Sequence, residues 1–347
     1  MRHRQGRLLG RMEGLGFSLQ REATLETLTL DVLKSSEIEG EILNPDQVRS
    51  SIARRLGMEI AGLVPSDRSV EGVVEMMLDA TQNYRSVLSD DRLFDWHSAL
   101  FPTGRSGMHK IVVGAWRNNL PNDPMQVVSG AMGREKVHYQ APGSEVLTGE
   151  MNVFLNWFNE ENKIDPVIKG AIAHLWFVTI HPFDDGNGRI ARAITDMQLA
   201  RADGSNQRFY SMSAQIRKER KAYYEILEET QKSSLNITAW LEWFLDCLDR
   251  ALLVTDETLA VVIKKAKFWE RHITSTLNER QKIMLNKLLD GFEGKLTSSK
   301  WAQITKCSSD TAVRDINDLL QKGILEKEYQ RGRSTNYLLA ENIERIK

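Results

Sequence analysis

The densest run of reactive side chains lies between His181 and Arg192, with the sequence His-Pro-Phe-Asp-Asp-Gly-Asn-Gly-Arg-Ile-Ala-Arg. His181 is the group in it that can serve as a base near neutral pH without heavy tuning. Gly186 and Gly188 let the backbone approach a phosphate closely, and Asn187 adds an amide donor. Arg189 and Arg192 stand one helical turn apart, so both can face one polyphosphate. Asp185 is a hard oxygen ligand of the kind a phosphate-bound Mg²⁺ requires. These parts suit transfer from a nucleoside triphosphate to a hydroxyl. The plain alternative is a helix–turn–helix corner with His181 as a cap and Asp185–Arg189 as a surface ion pair.

Two elements must position these groups. Ile172 to Ile180 is mostly apolar at helical spacing, which predicts a buried helix delivering His181. Ile190 to Leu199 predicts a second helix with Ile190, Ile194 and Met197 on one face. The glycine-bearing turn then opens a helix, whose free N–H groups and dipole make an anion site.

The run matches His-x-Phe-x-Asp/Glu-Gly-Asn-Gly-Arg-x-x-Arg at every specified position, and so resembles the signature of the Fic (filamentation induced by cAMP) family. The resemblance implies a mainly α fold: a helical core, a small β-hairpin flap and an N-terminal helical region. It implies transfer of AMP from ATP to a protein hydroxyl. It makes His181 the base and Asp185 the Mg²⁺ ligand. Gly186, Asn187, Gly188 and Arg189 become phosphate contacts, and Arg192 the γ-phosphate arginine.

Upstream, Leu25, Leu28, Val32 and Leu33 mark a helix that reaches Gly40, and Asn44-Pro45 reads as the cap of the next one. Ser35 and Glu39 share a face of the first helix. By composition Glu39 is an ordinary solvated carboxylate. Ser35-x-x-x-Glu39-Gly40 resembles the Fic inhibitory motif, which pairs Glu39 with Arg192 in place of the γ-phosphate and Ser35 with Asn187. It implies the subclass with an N-terminal inhibitory helix. Glu37 and Glu41 are expected to point elsewhere. Some family members also remove AMP with this glutamate.

Gly114-Ala115-Trp116-Arg117 resembles the turn before the Fic flap. Around Gly130 and Gly133, the β-prone runs 125–128 and 136–139 predict a hairpin, with Val127, Val128, Val137 and Tyr139 as target-docking residues by resemblance. The structural alternative is a surface hairpin without function. Tyr223, Tyr224 and Gln231 stand where the family contacts the nucleotide; two core tyrosines are the alternative. His97 and His109 read as structural histidines.

The remaining chain predicts an N-terminal helical region over 1–95, a catalytic core over 96–250, a linker helix over 251–277 and a last module over 278–347. That module, three helices then a hairpin with Arg331 and Arg333 at its tip, resembles a winged helix-turn-helix domain. Asp310, Asp315 and Asp318 make its third helix a poor phosphate-binding face, so protein docking or dimerisation competes with DNA binding there.

Charge excludes little by itself: 46 Lys+Arg balance 47 Asp+Glu, with no global pull toward nucleic acid. Cys247 and Cys307 lie far apart and read as reduced buried thiols. No run reaches the roughly 18 apolar residues of a membrane span. The expectation is a cytoplasmic adenylyltransferase that uses Mg²⁺ with ATP, modifies Ser, Thr or Tyr hydroxyls of a target protein, and self-associates as family members often do. The competing expectation is a DNA-binding transcriptional regulator with an idle core.

Overall fold

Two antiparallel helices joined by the reactive turn form the centre of the larger unit. In the computed structural model the chain divides into a unit over Met1–Asp256 and a second over Glu257–Lys347. The structure describes all residues except Leu15, 59–62, Pro121, 131–133, Glu135, Asn162, Ser234, Ile273, Asp290, Gly291, Glu293, 329–334 and 341–347. Side chains are likewise undescribed at 17, 18, 256–262, 265 and 266. Parts of the Gly62–Ser69 loop, Gly133, Arg331 and Arg333 therefore fall outside the described residues.

In chain order the first unit holds α1 (Arg2–Glu13), α2 (Phe17–Ile38), α3 (Pro45–Arg55), α4 (Arg68–Gln82) and α5 (Asp90–Leu100). Two small antiparallel hairpins follow, β1 (Arg105–Ser106) with β2 (His109–Lys110), and β3 (Gln126–Ser129) with β4 (Lys136–Gln140). Then come α6 (Leu147–Asn159), α7 (Pro166–Ile180), α8 (Asn187–Asp203), α9 (Met212–Lys218) and α10 (Arg220–Lys232). Helix α11 (Thr238–Arg271) continues the apolar Trp240 helix through the segment expected as a linker. The fold is mainly helical, as the sequence predicts.

Helix α7 starts where Asp165 accepts from the amides of Val167 and Ile168, with Pro166 at the first helical position. It is apolar nearly all round, so it is buried. Helix α8 packs along it, with every residue from Arg189 to Ala200 buried. His174 ties the pair to α10, its ring nitrogens 2.9 Å from Thr195 Oγ1 and 2.9 Å from Tyr223 Oη. Burial lowers the His174 pKa to about 3, so it is neutral and structural.

Helix α2 packs against α9, α3, α4 and α8. Leu25, Leu28 and Val32 on it are fully buried. So is Asp31, which accepts from Ser211 Oγ at 2.5 Å. Beside it Arg208 donates to Asp196 at 2.9 Å and to Asp203 at 3.1 Å, all three at 0–1% exposure. Burial first, then the neighbouring Asp196, pushes the Asp31 carboxyl well above its ordinary 3.8. Asp196 and Asp203 are raised too, by burial. Helix α1, unforeseen from the sequence, joins this network: Gln5 Nε2 donates to Asp203 at 2.5 Å.

The second unit contains α12 (Glu279–Leu289), α13 (Ser298–Thr305), α14 (Ser309–Gln321), β5 (Leu325–Glu328) and β6 (Asn336–Leu339). Its core includes Met284, Leu285, Trp301, Ile316 and Leu319. Strands β5 and β6 pair antiparallel, and Leu296 bridges to Tyr337. The acidic face expected on α14 is reduced, not removed: Asp310 is exposed and Asp318 partly so, while Asp315 is turned in. Asp315 is buried and held by Arg280 at 2.8 Å and Asn278 at 2.9 Å; Asp318 accepts from Gln281 and Lys322. Asp315 is thus paired with a cation of α12, whereas the partly exposed Asp318 takes an amide from α12 and a cation from the end of its own helix. Cys247 is buried, but Cys307 is only half-buried. His109 is exposed on β2 rather than structural.

Arg208→Ala should destabilise the protein by about 3–5 kcal/mol, because it strands buried carboxylates without their cation. Chemical denaturation checks this; a loss below about 1 kcal/mol would mean the cluster is neutral without Arg208.

Candidate active site

His181 ends α7 as its C-cap in the left-handed region, at φ 53° and ψ 57°. That conformation is uncommon for a residue with a Cβ, and its surroundings hold it there. Arg117, 2% exposed, is the clamp. Its Nε donates to the His181 carbonyl at 2.7 Å, Nη2 to the Pro142 carbonyl at 2.5 Å, and its own amide to the Pro182 carbonyl at 2.9 Å. His181 Nδ1 lies 3.2 Å from the Val178 carbonyl. A carbonyl only accepts, so Nδ1 carries the proton and Nε2 keeps its lone pair. Burial lowers the His181 pKa below its ordinary 6.5, which favours the neutral base form.

The turn after His181 is fixed from three sides. Asn187 accepts from the Phe183 amide at 3.0 Å and donates to the Phe183 carbonyl at 2.8 Å. His97 Nδ1 accepts from the Gly114 amide at 3.3 Å, which leaves Nε2 to donate to the Asp185 carbonyl at 3.2 Å. The ring stacks on Phe183 at 4.2 Å, and burial lowers its pKa to about 4. It is the structural histidine the sequence suggested. Gly186 takes φ 82°, open to glycine, with Phe101 against the place a Cβ would fill.

The two aspartates diverge. Asp184 accepts from the Val112 amide at 2.8 Å. Asp185 accepts from the Gly186 amide at 2.6 Å and is hydrogen-bonded by Ser106 Oγ from the β1–β2 hairpin. That hairpin and its serine carried no recognisable sequence signal. Among the described residues no group of three or more His, Cys, Asp or Glu could hold a metal. A lone carboxylate beside a phosphate cradle fits a Mg²⁺ that arrives on a nucleotide, since Mg²⁺ keeps waters and phosphates as its other ligands.

Ser35, Glu39 and Arg192 come together across 153–157 residues of sequence. Arg192 is 2% exposed. Its Nη2 donates to Glu39 Oε1 at 2.7 Å and to the Ser35 carbonyl at 2.9 Å, and its Nε to Ser35 Oγ at 2.8 Å. Ser35 therefore meets Arg192, not Asn187 as the family pattern implied. Asn187 cannot serve it, being closed on the Phe183 backbone. The Glu39 carboxylate lies against Gly188, where any side chain would collide with Oε1. It thus sits in the anion cradle at the start of α8. Tyr224 Oη donates to Glu39 Oε2 at 3.3 Å.

Glu41 does not point elsewhere. Its Oε2 accepts from Arg189 Nη1 at 2.7 Å. The expected rival pairing of Asp185 with Arg189 is absent among the described contacts. Arg189 is 6% exposed, with its guanidinium 5.0 Å from the Phe101 ring centre. Glu37 instead meets Lys34 and Arg217.

Tyr223 is 1% exposed, hydrogen-bonded to His174 and packed on Trp240 and Trp243. No adenine can stack on it, and of the pair only Tyr224 reaches the site edge. Gln231 donates to the Val178 carbonyl at 3.3 Å and Thr179 Oγ1 at 3.2 Å, near the end of α7. In the β3–β4 hairpin Val127 pairs with Tyr139 and Val128 with Val137 across a bulge. Val128 and Val137 are exposed, and Tyr139 Oη donates to the Thr179 carbonyl at 2.9 Å.

A buried helix pair thus presents a neutral histidine, a lone carboxylate and a turn of glycines and arginines on one side of the larger unit. Residues 87–199 match the Fic/DOC family model, and the chain carries a Fic domain. Residues 1–58 match a domain of unknown function, DUF4172. The "Protein adenylyltransferase Fic" of Drosophila mojavensis is 26% identical over 241 residues, 68% of this chain and 42% of that protein. "Protein adenylyltransferase fic-1" of Caenorhabditis elegans is 30% identical over 182 residues, 51% of this chain and 32% of that one. The chain thus spans less than half the length of these relatives. A Fic family protein from Desulfovibrio desulfuricans has the same fold, with TM-score 0.55 at 20% identity over 99% of this chain and 95% of that one. No helix among the described residues is long and apolar enough to cross a membrane.

If His181 serves as the base of a transfer reaction, its lowered pKa predicts a rate that stays level from pH 8 down to about 6.5 and falls only below it. The neutral base is lost as protons return through that depressed pKa. A pH–rate profile of an active variant checks this; an acid limb centred above pH 7 would mean His181 is not the titrating base.

Proposed function

We propose that this chain is an autoinhibited protein adenylyltransferase that moves AMP from ATP to a Ser, Thr or Tyr hydroxyl of a target protein, itself included. The observation that carries the reading is His181 with a free Nε2 beside a cradle whose arginines are both held by carboxylates. His181 Nε2 takes the proton of the target hydroxyl. The freed oxygen forms a bond to the α-phosphorus, the bond from that phosphorus to the bridging α–β oxygen breaks, and pyrophosphate departs. Arg189, Arg192 and the amides at the start of α8 hold the phosphates and offset the charge that develops on them. Asp185 would hold Mg²⁺, which supplies charge neutralisation to the leaving phosphates. Arg117 and His97 keep His181 and the turn in place throughout.

The exposed Val128 and Val137 support the β3–β4 hairpin as the docking flap for an extended target segment. In the same account Glu39 would orient a water for removal of AMP once it leaves Arg192. The last module, read as winged-helix-like over 278–347, is the accessory domain in this account. The competing DNA-binding reading gains from one observation: with Asp315 buried against Arg280, α14 leaves Arg314 and Asn317 exposed, although Asp310 is exposed and Asp318 partly exposed on the same helix. A gel shift that weakens steeply with salt, together with no AMP transfer by any variant, would favour that reading.

Glu39→Gly should raise labelled-AMP incorporation about tenfold or more, the worth of one strong charge-assisted bond. Adding His181→Ala should remove about 10²–10⁴ of it. Autoradiography at equal protein and ATP measures both. No gain from Glu39→Gly would end the autoinhibition reading, and full labelling without His181 would end its role as base.

A further inference from the structure

The carboxylate of Glu41 has no role in the inhibitory motif, yet it holds Arg189 at 2.7 Å across 148 residues of sequence. Its position is set by backbone geometry. Helix α2 ends at Ile38, Gly40 turns at φ 88°, and the Glu41 amide closes back on the Ser36 carbonyl at 3.0 Å. That closure is a Schellman-type stop, and it sends Glu41 back over α8 instead of onward along the helix face. Arg189 then has a carboxylate on Nη1 and an aromatic face at 5.0 Å, while its Nε finds no partner among the described residues. Arg192 Nη1 is likewise buried without a partner among them. Each motif arginine is thus held by its own carboxylate and retains unused donor capacity. The two pairings share no atoms. They differ in depth as well: the Glu41 side chain is 37% exposed and that of Glu39 32%, and the side chain of Arg189 is 8% exposed against 2% for that of Arg192.

We propose that Glu41 is a second nucleotide-gating residue, holding Arg189 as Glu39 holds Arg192. The segment matched by the domain of unknown function would then lay two carboxylates on the two arginines of the cradle, standing in for a polyphosphate. This inference rests on the reading of the cradle as an ATP site. Because the pairings are separate, removing Glu39 frees one arginine and leaves the other occupied. A guanidinium fork already given to a carboxylate is not available to a phosphate in the same direction. The partial exposure of Glu41 discounts its strength relative to a buried pair, so its effect is the smaller of the two.

The test is ATP and adenosine binding by calorimetry for Glu39→Gly, Glu39→Gly with Glu41→Gln, and Glu39→Gly with Glu37→Gln. The isosteric Gln keeps the shape of the segment, and a thermal melt confirms that each variant is folded. Glu41→Gln in the Glu39→Gly background should tighten ATP about threefold to tenfold. It should leave adenosine, which has no phosphate, unchanged, and Glu37→Gln should change neither. If Glu41→Gln leaves ATP affinity as it was, or shifts adenosine as much as ATP, the gating role is refuted while the adenylyltransferase reading stands. If no variant binds ATP, the nucleotide reading itself falls and this inference with it.

Discussion

A guanidinium at 2% exposure cannot stand without an anion, and that constraint organises the site around Arg192. In this structure the anion is the Glu39 carboxylate, with the Ser35 hydroxyl and carbonyl completing the fork. A phosphate would satisfy the same donors. Helix α2 is therefore more than packing for α8. Its last turn delivers a charge that the centre of the site requires when no nucleotide supplies one. One turn earlier on α2 and one turn later on α8, Asp31 and Asp196 converge near Arg208. The same two helices are thus joined at two levels. The deeper one is closed from water and structural. The shallower one is the contact that, in the proposed account, gives way to a nucleotide.

The chemistry also depends on a backbone that is hard to hold. His181 sits in a conformation that costs energy for any residue with a Cβ, and Arg117 bridges the carbonyls on either side of the flap-to-turn junction to keep it there. His97 does the equivalent for Asp185 from α5. Neither touches the reacting atoms in the proposed mechanism. Both explain why a helix at the near edge and a turn before the flap belong to the site.

What was legible in the sequence follows from locality. The run from His181 to Arg192 is contiguous, so its glycines, cap and helix starts were readable from spacing alone. The same holds for Asn44-Pro45 and for α7, whose apolar character fixes its burial. Contacts that span the chain were not readable from spacing, and the Glu39–Arg192 pair was expected only through the family resemblance. Ser106 reaches Asp185 across 79 residues, and Glu41 reaches Arg189 across 148, from short elements that carry no motif. Helical spacing misplaced Glu41 because the helix stops at Ile38 and the chain turns at Gly40. Tyr223 is closed to an adenine ring in this structure because Trp240 and Trp243 pack on it and leave it 1% exposed. Asp315 looked like surface charge until Arg280 on α12 was placed opposite it. In each case residue type was informative, and the partner, fixed only by tertiary packing, decided the role.

The central claim is a competition between the Glu39 carboxylate and a terminal phosphate for Arg192. Titration calorimetry with ADP and with ATP, on the wild type and on Glu39→Gly, tests it most directly, because the two nucleotides differ by that phosphate. The account predicts that the wild type binds ADP more tightly than ATP, and that removing the carboxylate erases or reverses the difference by restoring ATP affinity. A wild type that binds ATP as tightly as ADP, with a ratio unchanged in Glu39→Gly, would contradict it.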